Sequence, residues 1–301
     1  MAMIVAVIVT YEPDPEKLSA LLSVLAPQVN SIVIVDNGSG RGLRDDPIAS
    51  DASVIELIEL KSNLGIATAQ NIGIARAKEG GANFVLLSDQ DSIPQDTMVS
   101  KLLTAIIKKE ESGALVACVG PRYLDKRRTN LPLPFIQIRG LRLKRGVCIS
   151  QDSILPVDYL IASGCLIPMT VLDQVGGMRE DLFIDYVDIE WGLRARHFGY
   201  QSFGVCSALM AHSLGDQPIK FFGLSIPQHS PLRHYYHCRN AVLLYREGWI
   251  PWNWKIVDGW RLCLRYVFYS IFAKPPIEHW RMMGVGLWHG LRGRSGKYAK
   301  R

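Results

Sequence analysis

The chain has six cysteines, at positions 118, 148, 165, 206, 238 and 263, and no two of them form a C-x-x-C pair. That scatter argues against a zinc site and against a disulfide framework, and it suits a reducing cytosol. No uncharged apolar run reaches the roughly 18 residues that a membrane span needs. The opening stretch, "MAMIVAVIVTYEPD", has no basic start, and its short apolar run ends in a turn. It reads as a first strand rather than a signal peptide. There is no internal repeat and no low-complexity tract. The dinucleotide fingerprint G-x-G-x-x-G is missing too: in "NLGIATAQNIGIA" (63–75) the glycines stand at 65 and 73, too far apart.

What is present is a core. Hydrophobic residues make up 48% of 301, enough for one large α/β domain or one domain with an appendage. The first 120 residues alternate in period. Strands are expected at 3–10, 31–36, 53–58, 84–88 and 114–120, and helices at 16–25, 65–80 and 95–111. Continuous apolar strands separated by helices predict a mostly parallel sheet covered on both faces. The stretch 121–157 loses the alternation and reads as an irregular excursion or hairpin. Order resumes at 157–177 as strand, turn, strand and short helix. A loop entering an amphipathic helix is expected at 181–200, and a strand pair with a loop at 201–216. Beyond about residue 230 the spacing predicts helices interrupted at Pro251 and at Pro275–Pro276.

In a parallel sheet, ligands sit beyond the carboxyl ends of the strands. Three of those ends are polar here: "TYEP", "DNGS" and "SDQD". The last places Asp89 and Asp91 one residue apart after "FVLLS". Two like charges so close are costly unless a cation relieves them, and oxygen donors of this kind suit Mg²⁺ or Mn²⁺ shared with a phosphate. Taken alone, the pair also reads as a solvated turn. Asp36 could accept from a base N–H or a ribose hydroxyl, or could close an ordinary Asn-Gly turn. Asn63 has the chemistry of an N-cap, and the small residues after it would let a helix approach a sheet or ligand closely. Asp185, Asp188 and Glu190 cluster at a helix start, where acids favour the dipole or could serve as a general base. His212, at the end of an expected strand, is a structural residue or a metal ligand.

In this order and spacing, "VIVTYEP", "VDNGS", "NLGIATAQNIGI", "LLSDQDSIP", "FIDYVDIEWGLRARHFGY" and "HSLGD" resemble glycosyltransferase family 2 over roughly residues 3–240. These are inverting enzymes of the GT-A fold. "DQDS" with "FIDYVDIEW" is most similar to the bacterial rhamnosyltransferases of surface polysaccharide. The resemblance implies an α/β GT-A domain over 1–230, with a nucleotide-binding half (1–120) and an acceptor-binding half (121–230). A C-terminal helical, basic and aromatic region over 231–301 would follow.

The resemblance also implies roles. Thr10, Tyr11 and Glu12 would line the nucleotide pocket, and Asp36 would bind the base. Asn63, Gly65 and Asn71 would shape the pocket floor. Asp89, with Gln90 beside it, would lie near ribose and metal, and Asp91 would ligate the metal with His212 as a third ligand. Asp188 would be the base, although "VDIE" leaves Glu190 as the other choice. Glu190, Trp191, Arg233, Tyr236 and Arg239 are candidate acceptor or diphosphate contacts. The implied donor is thymidine diphosphate-rhamnose, with uridine diphosphate sugars (galactose, galactofuranose, N-acetylglucosamine or glucose) as the alternative. The implied acceptor is a saccharide or a polyprenyl-diphosphate-linked saccharide.

Net charge is +6 and uneven: from Arg261 to Arg301 there are nine Lys or Arg and one acid, Glu278. Trp260, Tyr266, Phe268, Tyr269, Phe272, Trp280 and Trp288 interleave with them. This pattern suits helices lying on an anionic membrane surface, at the inner face of the cell membrane, or packing on the catalytic domain or on a second subunit. No nucleic-acid-binding module accompanies it. A nucleotidyltransferase would carry a glycine- and basic-rich loop after the first strand, where this chain has "TYEPDPEKL". A catalytically dead scaffold would not need Asp89, Asp91, Asp188 and His212 together.

Overall fold

Every residue of β1 (Ile4–Thr10) is buried. Val5, Val7 and Val9 enter one hydrophobic cluster; Ile4, Ala6 and Ile8 enter another on the opposite face. A strand with no polar face needs cover on both sides of its sheet. The computed structural model, described over residues 2–40, 54–125, 132–212, 219–221 and 224–299, provides it. α1 (Pro15–Leu25) packs four buried leucines on one face and starts at a capped turn, where Asp14 accepts from the N–H of Glu16 and Lys17. β2 (Ser31–Asp36) and β3 (Ile55–Glu59) extend the sheet in parallel from β1. α2 (Ile66–Glu79) covers the other face with Ala67, Ala69, Ile74 and Ala77. β4 (Phe84–Asp89) pairs parallel with β1 on its second edge.

The short β5 (Ile93–Pro94) and α3 (Met98–Glu111) follow, then β6 (Val116–Asp125). The stretch after β6 contains a hairpin, β7 (Phe135–Arg139) with β8 (Arg142–Gly146), and β9 (Ile154–Val157). β10 (Cys165–Pro168) inserts antiparallel between β4 and β6. α4 (Met169–Val175) and α5 (Val187–His197) lead to β11 (Gln201–His212). β11 is one long strand, parallel to β6 and antiparallel to β9 and β5, where a strand pair was expected. The sheet order is β3-β2-β1-β4-β10-β6-β11-β5. A small hairpin, β12 (Ile219–Phe221) with β13 (Leu224–Ile226), precedes α6 (Pro231–Tyr245), α7 (Trp252–Phe272) and α8 (Pro276–Leu291). The breaks fall at the expected prolines.

α8 lies close along α6. A Cβ on Gly286 would stand 2.5 Å from the Tyr235 carbonyl oxygen, and one on Gly290 would stand 2.7 Å from Val242 Cβ. Among the described residues no helix is long and apolar enough to cross a membrane.

One cysteine expectation fails. Cys148 and Cys206 form a disulfide across 58 residues. Antiparallel pairing of β9 with β11, and the Cys206 N–H donating to the Ser153 carbonyl, bring the two together. Sequence spacing carries no trace of that pairing. Cys118, Cys165 and Cys238 are buried thiols, and Cys263 is exposed.

Candidate active site

The carboxyl ends of β1, β2 and β4 lie side by side, with Thr10 opposite Asp36 and Val9 opposite Asp89. Thr10 Oγ1 donates to Asp36 Oδ1 at 2.9 Å, and the Ser39 N–H donates to Asp36 Oδ2 at 2.9 Å. Asp36 is 2% exposed, so its first task is to hold these two strand ends together. Glu12 takes a left-handed backbone, φ +45°, and its Oε1 accepts from the Gly40 N–H at 2.7 Å. Tyr11 and Gln90 clip β1 to β4 through two reciprocal bonds: Tyr11 N–H to Oε1 at 2.8 Å, and Nε2 to the Tyr11 carbonyl at 3.2 Å. The Tyr11 ring stays exposed, free to stack on a planar ligand.

The turn into α2 closes the floor. Asn63 is not the N-cap; Gly65 is, at φ +94°. Asn63 Oδ1 accepts from the Gly65 N–H at 3.0 Å and from Asn37 Nδ2 at 3.2 Å. A Cβ on Gly65 would lie 2.6 Å from the Phe183 carbonyl oxygen, which accepts from the Ile66 N–H. Asn71, six residues on from Gly65, reaches away from the rim: Nδ2 donates to the Met178 carbonyl and Oδ1 accepts from the Met178 N–H. It fastens α2 to the chain that leads into the acid loop.

That loop is strained. Phe183, Asp185 and Tyr186 all have left-handed backbones, at φ 66°, 62° and 65°. Each costs on the order of 1–3 kcal/mol and persists only where its surroundings dictate it. Here α6 does so: Asn240 Nδ2 donates to the carbonyls of Leu182, Ile184 and Asp185 at 2.9, 2.7 and 2.9 Å. Arg239 Nη2 adds a bond to the Leu182 carbonyl at 2.9 Å.

Asp188 sits in the first turn of α5, half-buried beside a small cavity walled by Leu87, Cys118, Leu160 and Trp191. Burial, with the charges of Asp185 and Asp89 adding to it, pushes its carboxyl up to about 6. That cause ties the acid loop electrostatically to the end of β4. Glu190, two residues on, is 2% exposed and held by Arg194 through two bonds, at 2.9 and 3.0 Å. Arg194 also caps the carbonyls of Val175 and Gly177. Glu190 is therefore drawn away from the rim.

Three other expected contacts have partners within the protein. Trp191 is core, its Nε1 on the Gly176 carbonyl; Tyr236 stacks on Phe183 with centroids 5.0 Å apart; Arg239 is 1% exposed. Arg233 does reach the loop, with Nε 3.3 Å from Asp185 Oδ1. β11 ends at His212, whose side chain lies outside the described residues, as do Gly215 and Asp216.

The donors present fit a hard divalent cation. Asp89 and Asp91 are carboxylates at the open strand end, and Asp185 Oδ2 is buried without a hydrogen-bond partner. Among the described residues no three His, Cys, Asp or Glu form a cage of their own. That pattern suits an ion held by one or two carboxylates and completed by substrate phosphates.

Residues 6–160 match the sequence pattern of Glycosyl transferase family 2. The chain belongs to glycosyl transferase family 2. This transferase is 35% identical over 294 residues to the dTDP-rhamnosyl transferase RfbF of Shigella flexneri, covering 97% of each chain. It is 28% identical over 243 residues to the N-acetylglucosaminyl-diphospho-decaprenol L-rhamnosyltransferase of Mycobacterium tuberculosis, covering 70% of this chain and 78% of that one. Its fold is GT-A. GalNAc-T7, solved with UDP, GalNAc and Mn²⁺, superposes with a TM-score of 0.60 at 13% identity, over 97% of this chain and 56% of that one.

Two roles near this transferase's candidate site show only in the fold. The resemblance of "RHYYHCRNAVLLYREGW" (233–249) implies that its Asn faces the active-site side, but the three carbonyls that Asn240 serves are seen only in the structure. Ser163, fully buried, fixes Asp89 by accepting from its backbone N–H at 3.1 Å. Asp185 stands out only as part of an acidic cluster; its left-handed backbone and pairing with Arg233 belong to the fold.

Proposed function

We propose that this transferase moves L-rhamnose, with inversion, from thymidine diphosphate-rhamnose to a hydroxyl of a saccharide or polyprenyl-diphosphate-linked saccharide in surface polysaccharide synthesis. The observation that carries the chemistry is Asp188, a half-buried carboxyl pushed up to about 6 beside the acids of the rim. A base in that range is ionised at neutral pH yet basic enough to accept a hydroxyl proton. Similarity to two rhamnosyltransferases, one over nearly the whole chain, supports the sugar.

In this reading Asp36, Thr10, Glu12 and the floor at Asn63–Gly65 hold the nucleoside, with the Tyr11 ring against its base. Asp89 and Asp91 would hold Mg²⁺ or Mn²⁺, which would offset charge on the leaving diphosphate. Arg233 keeps Asp185 oriented. Asp188 takes the proton at its carboxylate oxygen as the acceptor oxygen attacks the anomeric carbon. One carboxylate suffices, because displacement is direct and the diphosphate needs no acid to leave. Residues 1–120 form the nucleotide half, 121–230 the acceptor half, and 231–301 a helical extension whose α6 braces the acid loop.

The extension also seats the enzyme on the cytoplasmic face of the membrane. Trp252, Ile256, Trp260, Leu264, Val267 and Ile271 recur every three or four residues along α7 and are all exposed, Trp252 by 67%. Such a stripe beside a basic tail suits a headgroup layer of anionic lipid.

Calorimetry with a panel of nucleotide sugars, with Mg²⁺, Mn²⁺ or chelator, tests the donor. Metal-dependent binding of thymidine diphosphate-rhamnose above all others is expected. Preference for a uridine diphosphate sugar would discard the rhamnosyl assignment and keep the site.

A further inference from the structure

We propose that the pocket at the C-terminal end of α8 is a second anion site, built to hold a phosphate and separate from the acid rim. The pocket is an open one of about 450 Å³. Tyr235, His289, Arg294, Ser295, Lys297 and Tyr298 line it, and among the described residues no acid does.

The tail that forms its outer wall is fastened. The Gly296 N–H donates to the Asp181 carbonyl at 2.6 Å, Arg239 donates to the Gly296 carbonyl, and the Tyr298 N–H donates to Tyr236 Oη at 2.8 Å. The backbone on either side of Lys297 is thereby fixed, which places Arg294 and Lys297 at the pocket, where both remain exposed to solvent. Among the described residues neither has a carboxylate within ion-pair distance. A helix C-terminus can itself attract cations. That explanation is already satisfied here by another residue: Arg246 Nη1 donates to the Gly290 and Leu291 carbonyls at 3.1 and 2.8 Å.

The hydrogen-bond roles leave donors over. A guanidinium can only donate, so His289 Nε2 accepts from Arg294 Nη1 at 3.2 Å. His289 Nδ1 then carries the proton and donates to Tyr235 Oη at 2.8 Å. The Tyr235 hydroxyl proton is left to donate elsewhere. Two cations and a phenol proton, with no acid opposite, call for a multiply charged acceptor, and a phosphate is the common one. Lys297 Nζ also reaches the Asn63 carbonyl at 2.9 Å, so the pocket abuts the floor of the nucleotide site without sharing its acids. Trp288, which precedes His289 on α8, is exposed, with Arg292 4.3 Å over its ring. The phosphate therefore comes either on a lipid, whose chain would pass the tryptophan, or free in solution.

The test uses the full chain, with chelator present so that the acid rim does not contribute. Pyrophosphate is titrated by calorimetry. Flotation is measured on phosphatidylcholine vesicles doped with phosphatidic acid, a phosphomonoester, or with phosphatidylserine. The wild type is expected to bind pyrophosphate, and to float better with phosphatidic acid than with phosphatidylserine. Arg294→Gln with Lys297→Gln should weaken pyrophosphate by at least about tenfold, the loss of charge-assisted bonds. Lys297→Arg should retain most of the affinity. Arg294→Gln alone, an exposed side chain whose hydrogen bond is to the His289 ring, serves if the double variant melts early. Loss of both pyrophosphate and the phosphatidic acid preference supports a lipid-borne phosphate. Loss of pyrophosphate alone supports a free one. Equal pyrophosphate affinity in all variants, or displacement of pyrophosphate by thymidine diphosphate, overturns the separate site.

Discussion

Asp188 and Glu190 stand two residues apart on one helix and have opposite surroundings. Asp188 faces acids, and its carboxyl is pushed up to about 6 by burial first and by Asp185 and Asp89 second. The folded state thus holds its proton more tightly than the unfolded chain. Its contribution to stability is complete below the unfolded value near 4 and is lost as pH rises through about 6. Asp188→Asn removes that loss. The variant should melt higher than wild type at neutral pH and no higher near about pH 4, while transfer is abolished and donor affinity kept. Wild-type kcat/KM should climb through about pH 6 as the base ionises. A flat profile, or turnover by Asp188→Asn, would remove the base from this position. Glu190 is neutralised by Arg194. Breaking a buried pair from one side costs about 3–5 kcal/mol. Glu190→Ala should therefore show its effect in the melting curve, with the pH profile of the residual enzyme unmoved. At the strand end, Asp91→Ala should abolish the metal-dependent part of donor binding, read by calorimetry with and without chelator.

At the scale of elements, the site is a rim of strand ends completed by one loop that a distant helix holds in shape. Asn240→Leu keeps the branched heavy-atom shape and removes the donor shared by three carbonyls. Unpaired carbonyls in a loop already strained at three residues should cost about 2–4 kcal/mol. As the loop relaxes, kcat should fall at least about tenfold, since misplacement of an ångström costs more than that; unchanged kcat would make the brace purely structural. Gly65→Ala is blocked twice, by φ +94° and by the Phe183 carbonyl 2.6 Å away, and should weaken both folding and donor binding.

These elements differ in how far the sequence discloses them. β1, β2 and β4 are legible because burial on both faces leaves an unbroken apolar run with a polar stop. The rim follows from the stops. β10 is not legible as a divider of β4 and β6, because "CLIP" carries no sign of direction and its partners lie far along the chain. The Cys148–Cys206 link and the Asn240 brace are invisible for the same reason. Each joins groups more than fifty residues apart through pairing or backbone carbonyls, which composition and period do not encode.

At the scale of the molecule, the acid rim and the exposed stripe of α7 belong to one chain, and α6 links them. α6 grips the acid loop on one side and α8 on the other, where Gly286 and Gly290 allow close approach. Removing residues 251–301 would uncover α6 and disturb the loop, so truncation is a poor test of membrane seating. Point changes on the exposed stripe are cleaner, because Trp252, Ile256 and Trp260 face away from the core. Trp252→Ser with Trp260→Ser should leave the melting temperature nearly unchanged, as expected of exposed side chains. Co-sedimentation with anionic vesicles should fall at least about tenfold, given the apolar area that two tryptophans bury in an interface. Wild-type binding should also weaken with added salt, because the basic tail contributes through charge that ions screen. Vesicle binding equal in variant and wild type would free this face for another role, and a concentration-dependent mass would then identify it as the contact between two copies of the chain.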